Sequence, residues 1–192
     1  MPITPGRVAW YVTGRFYLDQ QGKLQDLGYF LHLEGVQGPL FNQGTIGEAS
    51  ARLTFRSEPF EAQSVTNGNI AIGLDTRGEF SVYFNPAGGG DFGDPGSFSR
   101  GTRVAVFRRT SVVMGQTLSS PTLGGFAIAT NVFSAELVDS APFLLGDDDP
   151  CDLRDLLPDG ITQWGTMNAN PLATSPPFTR IAAFTGSAVA AG

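Results

Sequence analysis

The chain has 192 residues, a formal net charge of −6 and only 16% charged residues, against 41% hydrophobic residues and 15 phenylalanines. That balance excludes a disordered chain and supplies enough apolar mass for one domain with a sizeable core. A single histidine, His32, and a single cysteine, Cys151, cannot complete an ordinary zinc shell or form an internal disulfide, and they argue against triad chemistry.

Alternation of period two dominates from the start. Residues 7–19 predict a strand with Val8, Trp10, Val12, Phe16 and Leu18 on one face, and Gly14 interrupts that face as at a bend or bulge. A second strand follows the turn at 20–23. It has Leu27, Tyr29, Leu31 and Leu33 on one side and Phe30, His32 and Glu34 on the other. After a glycine-rich loop, residues 49–57 alternate again, with Ala51, Leu53 and Phe55 inward. Residues 60–66 and 69–75 then flank Asn67-Gly68, a strong hairpin signal that would bury Ile70, Ile72 and Leu74. Further strands are marked by Phe80, Val82 and Phe84, by Val104 and Val106, by Phe126 and Ile128 running on to Val138, and by residues 178–189. One short helix is expected after Pro150, capped by Asp149, with Leu153, Leu156 and Leu157 on its apolar side.

The fold class is therefore all-β: an antiparallel β-barrel or two-sheet β-sandwich of about 8–10 strands, with long irregular loops and at most one short helix. A single domain over 1–192 is expected, with core strands at roughly 7–138 and 178–190 and an irregular arm at 144–177. Ser-x-Pro-Phe occurs three times, from Ser57, Ser140 and Ser175. Proline ends ladder pairing there and the phenylalanine returns to the core, so each copy reads as a strand corner.

Six aspartates lie between Asp147 and Asp159 against Arg154 alone, a local −5 that leaves −1 for the rest of the chain. Nucleic acid needs a basic face and is not expected as a partner. The cluster Arg100, Arg103, Arg108 and Arg109 does not supply one, because strand parity places Arg103 and Arg109 on one face and the other two opposite. No run of about 18 apolar residues spans a bilayer, and the N-terminal residues lack a signal-peptide pattern. A cytoplasmic protein, or a subunit of a bacterial or viral particle, is the expectation, with no membrane partner.

Candidate sites follow from residue chemistry. His32 and Glu34, two residues apart on one strand face, are a candidate acid/base pair. Asp147, Asp148 and Asp149 are candidate ligands for a hard cation, but they lack the spacing of a calcium loop, so no metal and no cofactor is expected. Trp10, Tyr29, Phe55 and Phe84 are candidate ligand-binding residues in an aromatic-lined pocket. The glycine-rich loop 88–96 is a candidate lid over a barrel mouth, with Phe92 and Phe98 as its apolar tips. Cys151, inside the acidic run, should be a poor nucleophile.

Three functions remain open. One is binding of a small apolar or aromatic molecule in a β-barrel pocket, including cyclase or isomerase chemistry driven by shape alone. Another is a structural or assembly protein, a homo-oligomer whose long loops, 115–125 or 144–177, make subunit contacts. The third is an acid/base enzyme using isolated carboxylates, tyrosines or His32.

Overall fold

A computed structural model describes residues 1–61, 63–67, 70–74, 78–117, 128–146, 150–168 and 172–192. Ten strands are formed: β1 (Val8–Asp19), β2 (Leu24–Leu33), β3 (Leu53–Ser57), β4 (Gln63–Asn67), β5 (Ile70–Leu74), β6 (Glu79–Phe84), β7 (Thr102–Thr117), β8 (Ile128–Ser140), β9 (Ile161–Asn168) and β10 (Phe178–Ala190). A one-turn helix, α1 (Leu153–Leu156), precedes β9. Eight strands pair antiparallel in the cyclic order β1-β2-β3-β6-β7-β8-β9-β10, and β10 returns to β1. The all-β fold is a closed barrel, not a sandwich. Closure removes the sheet edges that eight alternating strands would otherwise expose.

The β4–β5 hairpin stands outside this ring. β5 pairs with the distal part of β7, from Val113 to Thr117, while the proximal part of β7 pairs with β6. The hairpin forms, but its ladder ends at Asn67↔Ile70, so the connecting residues are 68 and 69 and not Asn67-Gly68. The side chains of Ile70, Ile72 and Leu74 lie outside the described residues.

Inward-facing residues fill the barrel with rings. Trp10 meets Phe30 and Phe107 edge to face at 5.4 and 5.5 Å, and Phe80 stacks on Phe107 at 5.0 Å. Phe16 packs on Phe184, and Phe55 lies against both Phe30 and Phe184. The end where β1 begins and β10 finishes is stoppered by Ile3, Phe143, Leu145 and the three leucines of the α1 segment. The helix is capped by Asp152, whose carboxylate accepts from the Arg154 amide at 2.9 Å, and not by Asp149 as the sequence suggested. The residues between Phe143 and Phe178 are not one irregular arm, because they contain β9.

Bulges overturn several face assignments, since one extra residue reverses parity. Tyr11 faces His32 but Val12 faces Phe30, so Leu31 is the extra residue on β2. Phe30 therefore turns into the core, at 1% exposure, and does not share the outer face with His32. In β7, Val82 faces Ala105 but Tyr83 faces Arg103. The extra Val104 leaves Arg103 exposed and sends Arg109 inside, so the two arginines do not share a face. No bulge occurs at Gly14, which pairs directly with Gly28. A Cβ at Gly14 would lie 2.3 Å from the Leu27 carbonyl oxygen, and one at Gly28 would lie 2.1 Å from that of Thr13. The two strands cross too closely there for any side chain.

The three Ser-x-Pro-Phe segments do sit at strand ends. Ser57 closes β3, Ser140 closes β8 and Phe178 opens β10; Phe60 and Phe143 then make isolated bridges to Leu24 and Cys151. Loop 88–96 runs into a 3-10 turn at Pro95–Ser99. It packs on the outer wall of the barrel and not over its mouth. Phe98 is fully buried there with Tyr17, Leu27, Tyr29, Ala51 and Ile181. Tyr17 Oη donates to the Phe92 carbonyl at 2.9 Å, and the Arg15 guanidinium covers the Phe92 ring at 4.3 Å.

Candidate functional site

Two regions compete for a functional role: the barrel interior and one quarter of its outer wall. Among the described residues, several polar groups inside engage one another. Trp10 Nε1 donates to Gln163 Oε1 at 2.9 Å. Arg109 Nη2 donates to Asp26 Oδ1 at 2.7 Å, with both side chains almost completely buried. The guanidinium also lies 4.8–5.5 Å from the rings of Phe60, Phe80 and Phe133. Its Nη1 makes no hydrogen bond among the described residues. Between these groups the interior retains a void of about 10 Å³, bordered by Trp10, Asp26, Phe55 and Gln163. That is at the threshold for one water molecule and far below the few hundred Å³ of a ligand pocket.

The four aromatic candidates from the sequence do not converge. Trp10 and Phe55 both border the interior void. Phe84 lies near the stoppered end, 5.3 Å from the Phe143 ring. Tyr29 faces the opposite side of the sheet, between Phe41 and Phe92. His32 Nε2 and Glu34 Oε2 approach to 3.2 Å, but about half of each side chain is exposed, on the outside of the barrel. Asp147, Asp148 and Asp149 lie outside the described residues. Among the described residues no three His, Cys, Asp or Glu side chains gather as metal ligands, and no helix is long and apolar enough to cross a membrane.

The outer wall formed by β1, β10, β9 and β8 differs from the rest of the surface. Strand register aligns Tyr11, Ser187, Trp164 and Val132 in one row across the four strands. A second row, two residues along, is Thr13, Thr185, Thr166 and Thr130. Thr162 and Ser134, hydrogen-bonded at 2.9 Å, extend the wall on the other side. None of these residues is charged; His32, Glu34, Arg15 and Glu136 mark the margins. Tyr11, Trp164 and Val132 are 43–49% exposed, and Leu31 beside them is 39% exposed. Tyr11, Leu31 and Trp164 wall a groove of about 340 Å³ floored by Gly165, Gly186 and Ser187.

Sequence reasoning missed most of this wall because β9 has the reverse of the expected pattern. Its inward positions include Gln163 and Gly165, while Thr162, Trp164 and Thr166 face out, so no apolar alternation announces it. The β-branched and aromatic residues at every second place of Thr162-x-Trp164-x-Thr166 were the available signal.

Cys151 is half-buried, and its thiol pKa is pushed up to about 11, first by burial and then by the charges of Asp152 and Asp155. At pH 8 almost none of it is thiolate. We expect a thiol reagent to leave the native protein unlabelled at pH 8 and to label one cysteine after denaturation. Rapid labelling of the native state would contradict this environment.

Comparison with family models, with curated proteins and with solved structures finds no match to this chain.

Proposed function

We propose that the protein works through its outer wall, as an assembly subunit whose uncharged β1–β10–β9–β8 face is buried against protein. The observation that carries this reading is a charge-free wall bearing exposed Tyr11, Trp164, Val132 and Leu31. Depletion of charge and enrichment in tyrosine and tryptophan are the marks of an interface centre. The low charged fraction of the whole chain points the same way. The wall, and not the loops at 115–125 or 144–177, is then the contact surface.

Trp164→Glu tests the reading directly. The side chain is exposed, so the barrel should keep its melting temperature, while a charge is placed at the middle of the face. Sedimentation velocity is expected to show concentration-dependent association of the parent protein and a monomer for the variant. A parent protein that stays monomeric at every concentration would refute self-assembly through this face.

The groove also favours a second reading, binding of one flat apolar ring between Tyr11 and Trp164. These two side chains stand on strands two spacings apart, about 9.5 Å, with only Ser187 between them. Each stacked pair needs about 3.5–4 Å, so a single ring fits the slot. Trp164 fluorescence that responds to added aromatic ligands but not to protein concentration would favour this reading over assembly.

A further inference from the structure

We infer that the occupant of this wall is a second copy of the chain, related by a two-fold axis that runs along the seam between β9 and β10. The inference rests on the assembly reading and assigns it a partner and a geometry. A two-fold axis parallel to the strands keeps the rows level and exchanges β10 with β9, and β1 with β8. Read through that operation, the aromatic row is complementary to itself. Trp164 of one copy stands over Ser187 of the other, a large side chain against a small one, and this occurs twice. Tyr11 meets Val132 in the same way. In the second row Thr166 faces Thr185 and Thr13 faces Thr130, placing hydroxyls against hydroxyls; the Thr13 hydroxyl already donates to the Phe184 carbonyl at 2.9 Å and is left as an acceptor. No like charges meet, because the rows carry none.

The alternative axis along β10 itself would set Trp164 against Tyr11 and Ser187 against Ser187. Large would meet large at the flanks and leave a hole in the middle, so the seam axis is favoured by packing. Curvature agrees with the same choice. Two convex barrels touch most closely at the seam, where Gly165, Gly186 and Ser187 keep the surface low. They diverge outward, where Tyr11 faces Val132 across the wider gap. Four strands by eight residues give a face of about 500 Å² in projection, compared with about 800 Å² per partner in a standard stable interface. The dimer should therefore dissociate on dilution.

A size-swap experiment tests the geometry, with sedimentation velocity across a wide concentration range and a melting curve for each variant. The parent protein is expected to reach a dimer. Ser187→Trp sets two tryptophans against each other at each contact and is expected to give monomers. Combining Ser187→Trp with Trp164→Ser moves the large side chain to β10 and the small one to β9, and is expected to restore the dimer. Generic stickiness predicts the reverse for Ser187→Trp, which would then associate more strongly. The inference is overturned if Ser187→Trp still dimerises, if the swapped variant stays monomeric, or if the assembly is a trimer or a larger ring. The assembly reading survives those outcomes so long as Trp164→Glu disperses the parent oligomer. Both are overturned if the parent protein is monomeric throughout.

Discussion

Replacing Arg109 with alanine is expected to destabilise the protein by about 3–5 kcal/mol, because it strands a buried carboxylate. Asp26 is 4% exposed, and its carboxylate has the Arg109 guanidinium as a partner at 2.7 Å. The guanidinium also fills the space among Phe60, Phe80 and Phe133, so alanine removes packing as well as charge. For a chain of this length the loss corresponds to a fall in melting temperature of roughly 10 °C. The pair itself need not be a net source of stability, since burying two charges costs about as much as their attraction returns. Arg109→Met combined with Asp26→Leu is therefore expected to recover most of the loss. Thermal unfolding of the three variants decides the matter. A single Arg109→Ala variant that melts with the parent would show that Asp26 has another partner.

The second large effect is expected at Trp10. It is 1% exposed, touches Phe30 and Phe107 edge to face, and holds Gln163 through its indole nitrogen. Trp10→Ala leaves a cavity at the centre of the barrel and strips Gln163 Oε1 of its donor. A loss of about 3–5 kcal/mol is expected from the cavity, with about 1–3 kcal/mol more for the orphaned carbonyl oxygen. Trp10→Phe keeps most of the ring area and should retain more stability than alanine. Chemical denaturation reads both variants, and equal losses for the two would mean that the hydrogen bond, not the volume, dominates. The vacated space also offers a check on the interior: a small aromatic compound should stabilise the alanine variant more than the parent protein.

Much of the fold was legible in the residues. The alternation of Trp10, Val12 and Phe16 is the inner face of β1, although a register shift between Val8 and Trp10 puts Ala9 in the core and leaves Val8 beside the outward Val189. Asn67-Gly68 announced the β4–β5 hairpin to within one residue. What the pattern could not carry was parity across bulges. One extra residue at Leu31 turned Phe30 inward, and one at Val104 sent Arg109 into the core to meet Asp26, 83 positions away in the chain. Nothing local to either sequence marks those positions, because a bulge is set by the partner strand. The outer wall was hidden for a different reason. Its rows run across strands, so Tyr11, Ser187, Trp164 and Val132 become neighbours only once the register of β1, β10, β9 and β8 is fixed. The aromatic candidates failed to converge because Tyr29 faces the second core under loop 88–96, which an alternating pattern alone cannot distinguish from a first.

The pairing of β1 with β10 has a consequence for how the chain is made. Val8–Asp19 leaves the ribosome long before Phe178–Ala190, yet the two are neighbours along almost their whole length. Until β10 emerges, β1 and β9 each carry an unpaired edge, open to strands of other nascent chains. Closing so distant a contact late also makes folding slow relative to a protein with local contacts. A chain stopped after β9 should therefore misassemble, and a separately supplied peptide covering 178–190 should rescue it by completing the ring.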